Sequence, residues 1–77
     1  MAVVRYFAAA QEAVGLEREH RAETTLGDLR AAVAAEYPGL GGILPRCAVL
    51  VDGARVDDDT ALADHVLVDV LPPFAGG

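Results

Sequence analysis

Few side chains here are equipped for chemistry. The chain contains no serine and no lysine, which excludes serine nucleophiles and Schiff-base lysines. Its one cysteine, Cys47, has no second thiol for an internal disulfide and too few ligand-type neighbours for a zinc site. It reads as a small buried hydrophobe. His20 and His65 lack a partner at metal-motif spacing and read as surface residues. Asp57-Asp58-Asp59 invites a calcium reading, but the glycine and distal glutamate of such loops are missing, so it reads as a solvated acidic turn. What remains is the final stretch, Pro72-Pro73-Phe74-Ala75-Gly76-Gly77. Proline lacks the ladder N–H and glycine has no side chain to pack, so this stretch adds to neither a helix nor a central strand. Two terminal glycines arise by chance in about one chain in 200. A frayed terminus has the same look, so the preceding elements must decide whether the fold presents it.

The 77 residues imply one domain. A chain this short buries only about 60% of its unfolded surface, so the core must be economical. Hydrophobic residues are 53% and charged residues 23%, the balance of a globular rather than a disordered chain. The net charge of −6 argues against nucleic acid, whose binding rests on phosphate neutralisation, and favours docking on a basic protein surface. No apolar run approaches the roughly 20 residues of a membrane span. No basic-then-apolar leader is evident, and a cytoplasmic setting is expected.

Val3-Val4-Arg5-Tyr6-Phe7 reads as a first strand, with Val4 and Tyr6 on one face and Val3, Arg5 and Phe7 on the other. Ala8 to Val14 is helix-forming and Gly15 is a stop. Leu16 to Ala22 alternates and is heavily charged, as suits an edge strand. Thr25 is a helix cap, with Asp28 at the third helical position. Leu26, Leu29, Val33 and Tyr37 then form an apolar stripe with Arg30 and Glu36 off it, until Pro38 ends the helix. Gly39 to Pro45 is a glycine-rich connection with room for one short helical turn. Cys47 to Val51 is an apolar strand, Asp52-Gly53 a hairpin turn, and Ala54 to Val56 a short return strand. In the last strand, Val66 to Leu71, the valines face the core and Leu67, Asp69 and Leu71 face away.

These elements make an α+β domain with one main helix on a small mixed sheet. The first and last strands are the most apolar, so they are expected side by side at the centre. Val3, Arg5 and Phe7 then lie beside Leu67, Asp69 and Leu71, at the root of the tail. Arg5 either pairs with Asp69 or meets a partner. A protein this small rarely covers both sheet faces, so Phe7, Leu67 and Leu71 are candidate docking residues.

The order of elements and the Gly-Gly end resemble the ubiquitin-like β-grasp fold and, more narrowly, the MoaD/ThiS family of sulfur carriers. Four stretches bear the resemblance: Val4-Arg5-Tyr6-Phe7-Ala8 followed by Glu12 and Gly15; Thr25-Leu26-Gly27-Asp28-Leu29; Val51-Asp52-Gly53; and Leu71 to Gly77. The Ala8–Val14 insert and Pro72-Pro73 look like MoaD, the small subunit of molybdopterin synthase. One departure stands out: Asp64-His65-Val66 replaces the family's common Asp-Gly-Asp, so that turn is expected to be built differently.

The resemblance implies a β-grasp domain over residues 1–71 and a flexible tail over 72–77. It makes Gly77 the working residue. An E1-like adenylyltransferase of the MoeB/ThiF type would use ATP to adenylate the terminal carboxylate. Sulfur from a donor such as a cysteine desulfurase or rhodanese would then make a thiocarboxylate. A molybdopterin synthase large subunit of the MoaE type would accept the tail, with Phe74, Ala75 and Gly76 threading into it. The carrier would bind no cofactor or metal and would not be catalytic alone. Alternatives are a carrier for thiamin, cysteine or secondary-metabolite synthesis, a ubiquitin-like modifier, or an interaction domain with an inert tail.

Overall fold

The computed structural model describes residues 1–73. The elements run β1 (Ala2–Tyr6), α1 (Ala8–Val14), β2 (Arg18–Arg21), α2 (Leu26–Glu36), α3 (Pro38–Gly41), a 3₁₀ turn (Leu44–Arg46), β3 (Ala48–Val51) and β4 (Leu67–Leu71). The sheet order is β2-β1-β4-β3. β1 and β4 are central and parallel, while β2 and β3 pair antiparallel at the edges. This is the expected mixed α+β arrangement, with the charged segment at an edge.

Alternation decides what the sheet buries. Val4 and Tyr6 of β1, Val68 and Val70 of β4, and Val49 and Val51 of β3 share one core with Leu26, Leu29 and Val33 of α2. Tyr37 is half-buried and packs against that core, as the helical stripe predicts. Each such aliphatic side chain contributes about 1.5–3 kcal/mol when fully buried. Thr25 caps α2, its Oγ1 accepting from the Asp28 N–H at 3.2 Å. Gly15 closes α1 in the left-handed conformation at φ 82°, and its N–H donates to Gln11 O at 2.8 Å.

Two features depart from expectation. The short return strand at Ala54 to Val56 is not formed: beyond the Asp52-Gly53 turn there is only one isolated bridge, Val51 to Ala54. β4 fills only the inner edge of β3, and the outer edge stays open because the segment after the turn leaves it. Asp52 N–H donates to Leu67 O at 2.8 Å, and Asp52 Oδ1 accepts from Leu67 N–H at 3.0 Å. The polar segment after the turn instead runs to the start of α2, where Gly27 N–H donates to Asp58 O and Leu26 N–H to Thr60 O. A Cβ at Gly27 would stand 3.1 Å from Asp58 Cβ, so glycine permits this close approach. The second departure is in the glycine-rich connection, which holds both α3 and the 3₁₀ turn and buries Leu40 and Leu44.

The charges of β2 divide by face. Glu19 and Arg21 point beneath the sheet. Glu19 accepts from Tyr6 OH at 2.6 Å and Tyr37 OH at 3.0 Å, and Arg21 is buried and joins Glu23 and Glu36. Burial first, and then the Glu19 carboxylate, push the Tyr6 hydroxyl pKa far up. Tyr6 is therefore a hydrogen-bond donor that ties the β1–β2 edge to the helix side.

Candidate functional site

The site grows from the face of the sheet that no helix covers. Strand register lines up one row across all four strands: Arg18 of β2 opposite Arg5 of β1, Arg5 beside Asp69 of β4, and Asp69 opposite Leu50 of β3. On one side of this row lie Val3 and Leu67, themselves in register. On the other lie Phe7, Leu71 and Ala48: Leu71 is in register with Ala48, and Phe7 N–H donates to Val70 O at 3.2 Å. Val3, Phe7, Leu67, Leu71, Ala48 and Leu50 are all half-buried. The face is thus an apolar surface crossed by one polar row.

Arg5 and Asp69 meet as expected. Arg5 Nε donates to Asp69 Oδ1 at 2.7 Å and Nη2 to Oδ2 at 2.9 Å, the fork geometry that makes guanidinium–carboxylate pairs strong. The guanidinium carbon also stands 5.5 Å from the Phe7 ring centroid, within cation–π range. Hydrogen bonding to Asp69 raises the Arg5 pKa further.

The open face leads into the tail root, because β4 ends at Leu71. Pro72 is buried and Pro73 exposed. A recess there is lined by Ala9, Ile43, Arg46, Pro72 and Pro73. The expected tail residues Phe74, Ala75, Gly76 and Gly77 lie outside the described residues. The structure therefore brings Arg5, Phe7, Leu67 and Leu71 onto one surface, at the end of the strand that feeds the tail.

Residues away from this surface have structural surroundings. Cys47 is half-buried, its thiol donates to Ile43 O at 3.3 Å, and burial pushes its pKa up. His65 is exposed, as are Asp57, Asp58 and Asp59, whereas the exposed His20 stands opposite Val3 and so belongs to the open face. Among the described residues no group of three or more His, Cys, Asp or Glu is placed to hold a metal, and no helix is long and apolar enough to cross a membrane. His65 takes φ 64°. The turn before β4 thus has a left-handed residue, with histidine adopting a conformation that glycine reaches without steric cost. Sequence reasoning overlooked Arg18, His20, Ala48 and Leu50 as members of the open face. Alternation within Leu16–Ala22 and Cys47–Val51, combined with the strand order, is the signal that finds them.

A four-stranded mixed sheet with one main helix across one face, an open opposite face and a C-terminal strand feeding a Gly-Gly end defines a small ubiquitin-like β-grasp carrier or modifier. The chain belongs to the ThiS family, whose model matches residues 4–77. It is 36% identical to the small archaeal modifier protein 3 of Haloferax volcanii, over 88 aligned positions spanning 96% of each chain. It is also similar to a chain in the complex of subunits 1 and 2 of the molybdopterin-converting factor from Helicobacter pylori. That match has 30% identity and a TM-score of 0.75, and it covers 99% of this chain and 97% of that one. The fold likewise matches the small archaeal modifier protein 1 of Methanosarcina acetivorans, with a TM-score of 0.86 at 21% identity over 99% of this chain and 95% of that one.

Proposed function

We propose that this chain is a sulfur carrier whose Gly77 carboxylate is adenylated and converted to a thiocarboxylate, acting as the small subunit of a molybdopterin synthase. The observation that carries the reading is the extent of the family match, which runs through the Gly-Gly end. The Helicobacter pylori relative, a subunit assembled with a second subunit, supports a large-subunit partner of the MoaE type.

The chemistry follows from the terminal group. A carboxylate with a pKa of about 3.3–3.7 is ionised at neutral pH and is a poor electrophile. Its oxygen attacks the α-phosphorus of ATP on an E1-like enzyme and releases pyrophosphate. A persulfide carried by a desulfurase or rhodanese then displaces AMP from the acyl carbon. A second thiol attacks the donor sulfur of the acyl disulfide, releasing the Gly77 thiocarboxylate and leaving a disulfide on the donor. The chain serves as substrate in one complex and sulfur donor in the next, so catalytic groups belong to the partners. Gly76 and Gly77 let backbone enter a narrow channel, Ala75 and Phe74 follow them in, and Pro72-Pro73 lowers the entropy lost on ordering the tail. Arg5, Phe7, Leu67 and Leu71 form the docking face. Residues 1–71 act as the presenting domain and 72–77 as the tail, in the cytoplasm.

The second reading is a ubiquitin-like modifier, favoured by the 36% identity to an archaeal modifier protein. The absence of lysine means that such a modifier cannot build isopeptide chains on its own side chains. Intact mass separates the carrier from an inert tail. Incubation with the activating enzyme, ATP and a sulfur donor adds about 16 Da, one oxygen exchanged for sulfur at the activated carboxyl, and deletion of Gly77 abolishes the gain. No gain where a control carrier is thiolated refutes the carrier reading. Co-purification with a large subunit, rather than covalent attachment to target proteins, decides for the synthase role.

A further inference from the structure

The row across the open face is unbalanced. It contains two guanidinium groups, Arg18 and Arg5, and one carboxylate, Asp69. Asp69 is committed to the Nε and Nη2 side of Arg5. Arg18 forms no ion pair among the described residues. Like charges directly opposite on neighbouring strands destabilise the pair, yet Arg18 and Arg5 stand in that relation in a chain whose net charge is −6. The two arginines line one shallow recess with Phe7, Gln11 and Glu17. Glu17 brings one acidic group to its rim without pairing with either arginine.

We propose that this end of the row receives an aspartate or glutamate side chain from the activating enzyme, fixing the register in which the carrier docks. The inference rests on the reading that the open face docks on that enzyme. The activating enzyme is the partner of choice because adenylation precedes both the carrier and the modifier fates of the tail. A carboxylate between Arg18 and Arg5 meets the unpaired guanidinium of Arg18 and the Nη1 of Arg5, which Asp69 leaves free. Phe7 supplies an apolar wall on the recess that keeps water from the pair, and charge-assisted hydrogen bonds in such a place are strong. The apolar rows on either side supply contact area without direction. One cationic end on an otherwise apolar face supplies direction, since complementary charge sets register and excludes misaligned docking. An edge-strand charge kept only for solubility would serve equally well as glutamate, and that difference makes the inference testable.

The experiment titrates the purified activating enzyme of the same organism with the full chain and with three variants, Arg18→Gln, Arg18→Glu and Leu71→Asp, across a range of salt concentrations. Thermal melts of each free variant run alongside. Arg18→Glu is expected to melt no lower than wild type, because it removes the like-charge contact, and yet to bind at least about tenfold more weakly. Arg18→Gln should bind with intermediate affinity and a shallower salt dependence, whereas Leu71→Asp should weaken binding through the apolar part of the face. Wild-type affinity and salt dependence in both Arg18 variants, with Leu71→Asp still weakened, would overturn the carboxylate contact and leave the docking face standing. Unchanged binding in all three variants would overturn the docking face and the inference with it.

Discussion

Arg5 and Asp69 stand side by side on the parallel central strands and join through two hydrogen bonds, Nε to Oδ1 at 2.7 Å and Nη2 to Oδ2 at 2.9 Å. Asp69 is the more enclosed partner, its side chain 15% exposed against 36% for Arg5. The pair lets a charged residue occupy each central strand without giving up the apolar character of the face around them.

Removing the two partners should not be equivalent. Asp69→Ala leaves the Arg5 guanidinium, the more exposed of the two groups, without its anion while Arg18 still stands opposite it. Arg5→Leu leaves the more enclosed Asp69 carboxylate without its partner, with Arg18 two strands away. Arg5→Leu should therefore lower the melting temperature more than Asp69→Ala does. The double variant Arg5→Leu with Asp69→Val should recover most of the loss, because matched apolar replacement of an ion pair is close to neutral. Thermal melts of the four proteins test the order, and equal losses from the two single changes would contradict it.

The Arg21 cluster should set the acid limit of the fold. Arg21 donates to Glu23 through Nε at 2.9 Å and Nη2 at 3.0 Å, and these bonds hold the Glu23 carboxyl below its ordinary value of 4.5. A carboxyl depressed in the folded state contributes stability that is fully present above its unfolded value. That stability is lost as pH falls through the lower folded value. Arg21→Met should cost roughly 2 kcal/mol at neutral pH and flatten the decline below about pH 4.5. Urea unfolding of both proteins over that range measures the effect, and parallel curves would show that Glu23 draws its stability from elsewhere.

The cap on α2 has a separate cost. Thr25 Oγ1 accepts the Asp28 N–H, one of the donors that the first helical turn leaves unpaired. Thr25→Ala should destabilise by about 1 kcal/mol, while Thr25→Ser should be near neutral. Chemical denaturation reads both, and an unaffected alanine variant would mean that water caps the helix equally well.

Sequence periodicity was most informative where burial enforced it. Val4, Tyr6, Val68 and Val70 face the core as alternation requires, and the stripe from Leu26 to Val33 does the same at helical spacing. The Arg5–Asp69 pair followed from placing the two most apolar strands together. The β2 charges were harder to read, because an edge strand of alternating sign looks solvated on both faces. Only the fold shows that Glu19 lies under Tyr6 and Tyr37 while Arg18 stands on the open side. The return strand at Ala54–Val56 failed for a related reason. The Asp52-Gly53 signal sets a tight turn, with φ 48° and 82°, but it does not say whether the following residues will continue along the outer edge of β3 or leave it. Long-range bonding decided that, because Asp58 O and Thr60 O accept from the first turn of α2 and draw the segment away.

The last prediction concerns the turn that launches β4. His65 holds φ 64°, a region that costs a side-chain-bearing residue about 1–2 kcal/mol. Its N–H donates to Met1 O at 3.0 Å, and Val66 N–H donates to Ala63 O at 3.2 Å. The strain is thus held by backbone bonds that need no imidazole, and the His65 side chain is exposed. His65→Gly removes the steric cost and adds unfolded-state entropy worth about 0.5–1 kcal/mol. The net expectation is a gain of roughly 0.5 kcal/mol, with both backbone bonds retained. His65→Val should lose stability, because a β-branched residue is least tolerant of this region. Chemical denaturation of the three proteins gives the order glycine, histidine, valine. If valine matches histidine, the left-handed geometry at position 65 is not what the turn before β4 requires.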